Sequence, residues 1–188
     1  MRFAKTLVLV LAVLGVFGFS VASAQTGYIA AYFDNGFSVE SANCPGDSTI
    51  STMYIAAVNW NMYVNGVQFK VNYPSGIEWI LDFGYGTDIV LGTTPTGMAR
   101  SWSLPQNGYQ PLLVCKVAFR WLCPLGCGSI PDQSVEVVGH PLLGNTVAAT
   151  RWPDNALIQG VGLTATACPM TIPTENTTWG KLKAVFSD

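Results

Sequence analysis

The chain has 188 residues, of which 11 are acidic, nine are basic and one is a histidine, giving a formal net charge of −2. Its few lysines and arginines form no run or stripe. The chain therefore lacks the clustered positive charge by which proteins bind nucleic acid or anionic membrane surfaces, and neither is an expected partner. Hydrophobic residues make up 49% of the chain, and glycine, aromatic and β-branched residues are frequent, as is typical of an exported all-β domain.

Residues 1–24 have the layout of a secretory signal peptide. Arg2 and Lys5 precede an uncharged apolar run over residues 7–19, and Ala22 and Ala24 frame a small-residue cleavage site. The run is shorter than the roughly 20 residues that cross a bilayer, and a retained anchor helix is the alternative. The pattern predicts export, with Gln25 opening the mature chain and no membrane span after it.

After the signal peptide, short apolar or alternating segments are separated by Gly, Pro and Asn turns. The clearest segment alternates Val67, Phe69, Val71 and Tyr73 with polar residues, which predicts a strand with one buried face. Residues 92–107 contain two prolines and are predicted to form a loop. About nine strands are predicted, over residues 28–33, 49–58, 67–73, 77–83, 88–91, 112–122, 134–138, 146–150 and 156–167. Short strands at near-even spacing indicate one β-sandwich domain over residues 25–170.

All five cysteines follow the signal peptide, and an exported chain is expected to pair most of them. Cys123 and Cys127 flank a Pro-Leu-Gly turn, and this spacing predicts a bridge between them. Cys44 and Cys168, near the two ends of the domain, are predicted to form a second bridge. Cys115 shares strand parity with apolar neighbours and should be a buried free thiol. A metal site competes with this interpretation, but the chain has no second half of a zinc pattern.

Catalytic motifs are scarce. His140, the one histidine, stands in a Gly-His-Pro turn, where a turn-capping role is favoured over that of a general base. Glu78, Asp82 and Asp88 are close in sequence, but no motif supports a carboxylate pair for glycoside hydrolysis. Asp34, Asn35 and Asp88 offer oxygen ligands for calcium, but the chain has no EF-hand or Asp-rich repeat. No catalytic residue, cofactor or metal site is predicted.

Aromatic side chains among turn residues are the main binding candidates. Trp60, Tyr63, Trp102 and Trp152 all have Gly, Pro, Asn or Ser neighbours. Exposed aromatic faces can stack on sugar rings or anchor a protein partner. The alternative is that these side chains cap the open ends of the sandwich core.

Residues 171–188 are predicted to form a linker and a short amphipathic tail. Thr178 can cap a helix on which Trp179, Leu182, Val185 and Phe186 share one face. A helix of about ten residues is marginal alone in water. The tail is therefore predicted either to pack on its own domain or to be recognised by a sorting, anchoring or assembly partner through Trp179, Leu182 and Phe186.

Two stretches resemble a known fold family. Residues 66–74 read Gly-Val-Gln-Phe-Lys-Val-Asn-Tyr-Pro, and a later stretch over residues 111–120 ends Val-Ala-Phe-Arg. Together they resemble the cohesin-like group of immunoglobulin-type β-sandwiches. Residues 177–186 also resemble a Thr-Thr-Trp-Gly tail that ends secreted bacterial proteins. The resemblance implies a non-catalytic extracellular adhesion or scaffolding module. No binding residue is carried over, because the cysteines and the short, poorly acidic loops depart from cellulosomal cohesins.

Three functions are compatible with these patterns. The favoured one is a secreted, non-catalytic structural or interaction module at the cell surface. The second is a carbohydrate-binding module that uses exposed aromatic side chains, and the third is a small secreted hydrolase that depends on His140. The expected partner is a protein or a polysaccharide outside the cytoplasm.

Overall fold

The computed structural model describes residues 27–86, 88–127 and 133–169, and these form twelve β-strands without a helix. The prediction of an all-β chain is confirmed. The predicted signal peptide and C-terminal tail lie outside the described residues. The strands are β1 Tyr28–Tyr32, β2 Ser41–Ala42, β3 Ile50–Val58, β4 Tyr63–Asn72, β5 Ile77–Phe83, β6 Ile89–Thr93, β7 Gly97–Asn107, β8 Leu112–Trp121, β9 Gln133–Val138, β10 Val147–Arg151, β11 Leu157–Gly162 and β12 Thr164–Ala167.

The strands form two facing layers. One layer has the order β5-β8-β3-β1, and the other has the order β6-β7-β4-β10. Strand β11 pairs with β1 in parallel and with β10 in antiparallel, and it therefore joins the two layers along one side. Strand β9 pairs with the end of β4 and carries β12 and β2 beside it.

Alternate residues of both layers point inwards and form one core. On β4, Val67, Phe69 and Val71 are buried, as their alternation with polar residues predicts. On β8, Cys115 is fully buried and unpaired, which confirms the prediction of a core thiol. Burial raises the pKa of this thiol well above its usual value, so it remains protonated and unreactive. The largest fully buried side chains are Trp121, Phe69, Phe119, Ile29, Met53, Ile55 and Met98.

The prediction of a loop over residues 92–107 is wrong, because most of it is the eleven-residue strand β7. Proline has no N–H to donate to a strand ladder. The ladder between β4 and β7 joins Gly66 to Ser101 and Val64 to Gln106, and its register shifts between these pairs. Pro105 lies in this bulged stretch, where it disrupts no regular pair.

The strand predicted over residues 156–167 is two strands, because the chain changes partners at Leu163. Strand β11 pairs with β10 and β1, whereas β12 pairs with β9 and β2. The Leu163 N–H donates to the carbonyl of Ile29 between the two strands. The alternation of side chains could not reveal this change of partners, because both stretches have sequences that favour a β-strand.

The predicted disulfide pairing is wrong: Cys44 is bonded to Cys123, and Cys127 to Cys168, instead of Cys123 to Cys127 and Cys44 to Cys168. The loop after Cys44 runs beside the end of β8, where the side chain of Asp47 accepts the Cys123 N–H at 2.9 Å. This contact brings Cys44 to Cys123. The four cysteines form one cluster, since the Cys44 N–H also lies 2.9 Å from the Cys127 sulfur.

Candidate functional site

The outer face of the layer that contains β6, β7, β4 and β10 forms a groove of about 440 Å³. Two rows of cross-strand neighbours follow from the ladder registers. The first row is Ile89, Ser101, Gly66, Thr150 and Leu157. The second row is Leu91, Ala99, Gln68, Ala148 and Gln159.

Side-chain size gives these rows a concave profile. The central positions carry small residues such as Ser101, Gly66 and Thr150, whereas large apolar residues stand at the sides. Ile89 and Leu91 are about two-thirds exposed on one side, at 68% and 66%. Trp152, just after β10, is half exposed on the other side. The groove therefore has a low polar floor between apolar walls.

Gly66 is required at the centre of the floor because another backbone comes close to it. A Cβ atom at this position would lie 2.6 Å from the carbonyl oxygen of Arg100 on β7. Any side chain at residue 66 would push β4 and β7 apart. The tight pairing of these two strands keeps the floor low.

The groove lining carries no free charge. Its one charged residue, Arg100, is buried and bonded to Asp88, with its Nε 3.1 Å from the carboxylate. The guanidinium also donates to backbone carbonyls of Tyr85, Leu113 and Val114. It lies 5.2 Å from the centre of the Trp102 ring. The remaining polar groups of the lining are neutral amides and hydroxyls.

The pKa of Asp88 reflects two opposing effects. Burial alone would raise it, but the hydrogen bond from Arg100, the N–H of Ser103 at 3.2 Å and the charge of Arg100 outweigh burial. The pKa of this carboxyl is lowered as a result. Asp88 is thus a permanent counter-ion beneath the groove at neutral pH and has no proton to offer a reaction there.

The four aromatic residues singled out from the sequence do not form one site. Trp102 and Trp152 line the groove, and Tyr63 is exposed at its end, where its carbonyl accepts the N–H of Trp152 at 2.9 Å. Trp60 is buried in the core and is no surface contact, which corrects its inclusion among the exposed candidates. Its ring occupies space left by two glycines, since a Cβ at Gly27 or Gly160 would lie within 2.4 Å of the ring.

His140 has a structural environment. It is buried in the turn between β9 and β10, its Nδ1 accepts the N–H of Leu142 at 3.2 Å, and its backbone pairs with Thr146. Two of the carboxylates considered in the sequence also serve local structure. Asp82 accepts hydrogen bonds from Trp79 and Thr94, and Asp34 accepts three backbone N–H groups of its own turn.

Among the described residues, no three His, Cys, Asp or Glu side chains converge on a point where a metal ion could be held. No helix in the same part of the chain has the length and apolar character needed to cross a membrane.

Comparisons with known proteins give structural matches alone. No protein-family model matches the chain, and no curated protein does. A non-cellulosomal cohesin from the hyperthermophilic archaeon Archaeoglobus fulgidus matches with a TM-score of 0.51 and 10% identity, over 78% of this chain and 92% of that chain. A type II cohesin domain from the cellulosome of Acetivibrio cellulolyticus matches with a TM-score of 0.51 and 13% identity, over 76% of this chain and 95% of that chain.

A third match comes from a crystal structure of a complex between a CaDoc0917 variant and CaCohA2. Its TM-score is 0.51 at 10% identity, over 77% of this chain and 100% of that chain. At these identities the matches establish the fold. They confirm the resemblance noted in the sequence: the chain folds as a cohesin-like β-sandwich.

Proposed function

We propose that the protein is a secreted, non-catalytic interaction module at the cell surface or in an extracellular assembly, and that it docks a protein partner in the groove. The observation that carries this proposal is an uncharged concave floor between exposed apolar walls at Ile89, Leu91 and Trp152. Large apolar side chains that stay exposed beside a groove are characteristic of interaction sites. The two disulfides support a location outside the cytoplasm.

A protein partner suits this groove better than a small substrate. The groove is open and wide, and its floor presents neutral hydroxyl and amide groups without an acid–base pair. One structure with the same fold was solved as a complex between two proteins, which supports docking as a use of this architecture. His140 is held by its own turn, and this supports a non-catalytic role.

Replacing Ile89 by Asp should weaken partner binding by at least about tenfold, because the change puts a charge where an apolar wall residue would be covered. Ile50→Asp is the matched control: it changes the same residue type, in a strand of the opposite layer, at 62% against 68% exposure. A photo-reactive residue in place of Ser101 on the groove floor would cross-link to the partner when the protein is mixed with native extracellular material. Equal labelling of wild type and Ile89→Asp would contradict docking in the groove.

A carbohydrate-binding function is a second candidate, favoured by one observation. Tyr63, Tyr109 and Trp152 are each about half exposed near one end of β4. The Tyr63 and Tyr109 rings lie 6.2 Å apart, and Trp152 is hydrogen-bonded to the backbone of Tyr63. Such rings present apolar faces on which the C–H groups of sugars can stack.

If sugars bind there, Trp152→Ala should abolish the retardation of the protein in gels that contain a neutral polysaccharide. Ile50→Ala should leave the retardation unchanged, because Ile50 is on the other layer. Wild-type protein that migrates equally in gels with and without a panel of neutral polysaccharides would eliminate this second function.

A further inference from the structure

We propose that the groove receives residues 177–186 of a second copy of the chain, so that copies associate head to tail. The inference rests on the proposed function of the groove as a docking surface and names the partner segment. Residues 177–186 lie outside the described residues.

The segment has the pattern of an amphipathic helix that needs a surface to cover it. Its apolar residues Trp179, Leu182, Val185 and Phe186 recur at helical spacing, whereas Lys181 and Lys183 fall off this face. A helix of about ten residues gains too little from its own hydrogen bonds to persist in water. It becomes stable when the apolar face is buried.

The dimensions of the groove suit such a helix. From Ile89 on β6 to Thr150 on β10 there are three strand spacings, about 14 Å, and a helix with its side chains is about 10–12 Å across. The groove follows β7 from Ala99 to Pro105, about 20 Å, and ten helical residues span about 15 Å. The apolar helix face would meet walls of Ile89, Leu91 and Trp152, and both lysines could remain in solvent.

The uncharged floor is also consistent with this occupant. Arg100 is neutralised by Asp88, and the other polar groups of the lining are amides and hydroxyls. A charged peptide would lose its hydration there without gaining an ion pair. An apolar helix face that carries no charge avoids this cost.

The location of Cys168 favours docking between copies over docking within one copy. The residue before it, Ala167, pairs with Gln133 at the start of β9. The pairing of β9 with β4 ends where Val138 meets Lys70. The groove begins two residues further along β4, at Gln68. The straight line from Ala167 to Gln68 covers about 23 Å along the strands and about 10 Å across them, a distance of about 25 Å. The nine residues from Cys168 to Thr177 reach about 30 Å when fully extended. Docking in the same copy would require a nearly straight linker, with a large loss of conformational entropy.

Head-to-tail contact between identical chains is heterologous, and it grows into open filaments unless the geometry closes a ring. We therefore expect the average molar mass of the chain beginning at Gln25 to rise with concentration in sedimentation experiments. Ile89→Asp should prevent the groove from binding a tail, and Trp179→Asp should prevent the tail from binding a groove. Each variant alone should be monomeric, whereas Ile50→Asp and Lys183→Ala should associate like the wild type.

Mixing the two defective variants gives the decisive result. The Ile89→Asp chain still supplies a tail, and the Trp179→Asp chain still supplies a groove. An equimolar mixture should therefore form heterodimers of one chain of each variant and nothing larger. A mixture that stays monomeric would overturn the inference, as would monomeric wild type. If the mixture fails while photo-cross-linking at Ser101 still labels another partner, this inference is wrong and the proposed docking function stands.

Discussion

Replacing Arg100 by Met should lower the free energy of unfolding by about 3–5 kcal/mol. The substitution leaves Asp88 as a charge with little solvent contact and without its counter-ion, and it also deprives three backbone carbonyls of their donor. These carbonyls belong to β8 and to the segment before β6, so the guanidinium links the two layers at their open edge. Urea unfolding measures the change as a lower midpoint at constant slope.

Arg120→Met is the matched control, because it removes the same residue type from an exposed ion pair. Arg120 and Glu78 lie 3.2 Å apart, and each side chain is nearly half exposed. Exposed pairs contribute about 0–1 kcal/mol, so this variant should unfold almost like the wild type. The double variant Arg100→Met, Asp88→Leu should recover much of the loss, because it removes both charges from the buried site. Equal effects of Arg100→Met and Arg120→Met would contradict this account.

The same ion pair predicts a pH dependence. The pKa of Asp88 is lower in the folded protein than in the unfolded chain, because the hydrogen bonds and charge of Arg100 outweigh burial. Its contribution to stability is therefore fully present above the unfolded value near 3.9 and is lost as the pH falls through the lower folded value. The difference in unfolding free energy between wild type and Arg100→Met should be largest near pH 7 and shrink as the pH falls, beginning above the unfolded value, because burial without the counter-ion raises the pKa of Asp88 in the variant.

Local patterning predicted most strands, because the alternation of buried and exposed side chains is recorded in neighbouring residues. Strand β4 and the burial of Cys115 follow from this alternation. Strand β7 was missed because Pro105 resembles a loop signal, and only the bulge against β4 makes the proline tolerable. The pairing of the cysteines depends on which loops meet in space, and spacing along the chain does not contain that information.

The candidate site was predictable only in part. Trp152 and Tyr63 were singled out and are exposed, whereas Trp60 is enclosed by glycines that come from distant segments, Gly27 and Gly160. The groove itself was missed, because its floor consists of small, inconspicuous residues from three strands, β7, β4 and β10. The one signal in the sequence was the pair Ile89 and Leu91 in a short strand, whose exposure becomes apparent only when β6 is placed at the edge of its layer.

Removing either disulfide should lower the free energy of unfolding by about 4 kcal/mol, because each bridge closes a long loop in the unfolded chain. The bonded residues are separated by 79 positions for Cys44 and Cys123 and by 41 for Cys127 and Cys168. The entropy of loop closure varies slowly with length, so the two losses should be similar. Paired alanine substitutions, compared by urea unfolding, measure both.

Cys115→Ala is the control for loss of a cysteine without loss of a bridge, and it should cost far less than either pair because its thiol bonds to nothing. Peptide mapping without reduction should find Cys44 joined to Cys123 and Cys127 joined to Cys168. Both bridges hold the same corner, where β2 pairs with β12 and the Cys168 N–H donates to the Ala42 carbonyl at 2.7 Å. Hydrogen exchange should therefore accelerate first at Ala42 and Cys168 in both paired variants. If the amide hydrogens of β6, β7, β4 and β10 exchanged faster instead, the disulfides would stabilise a different part of the fold.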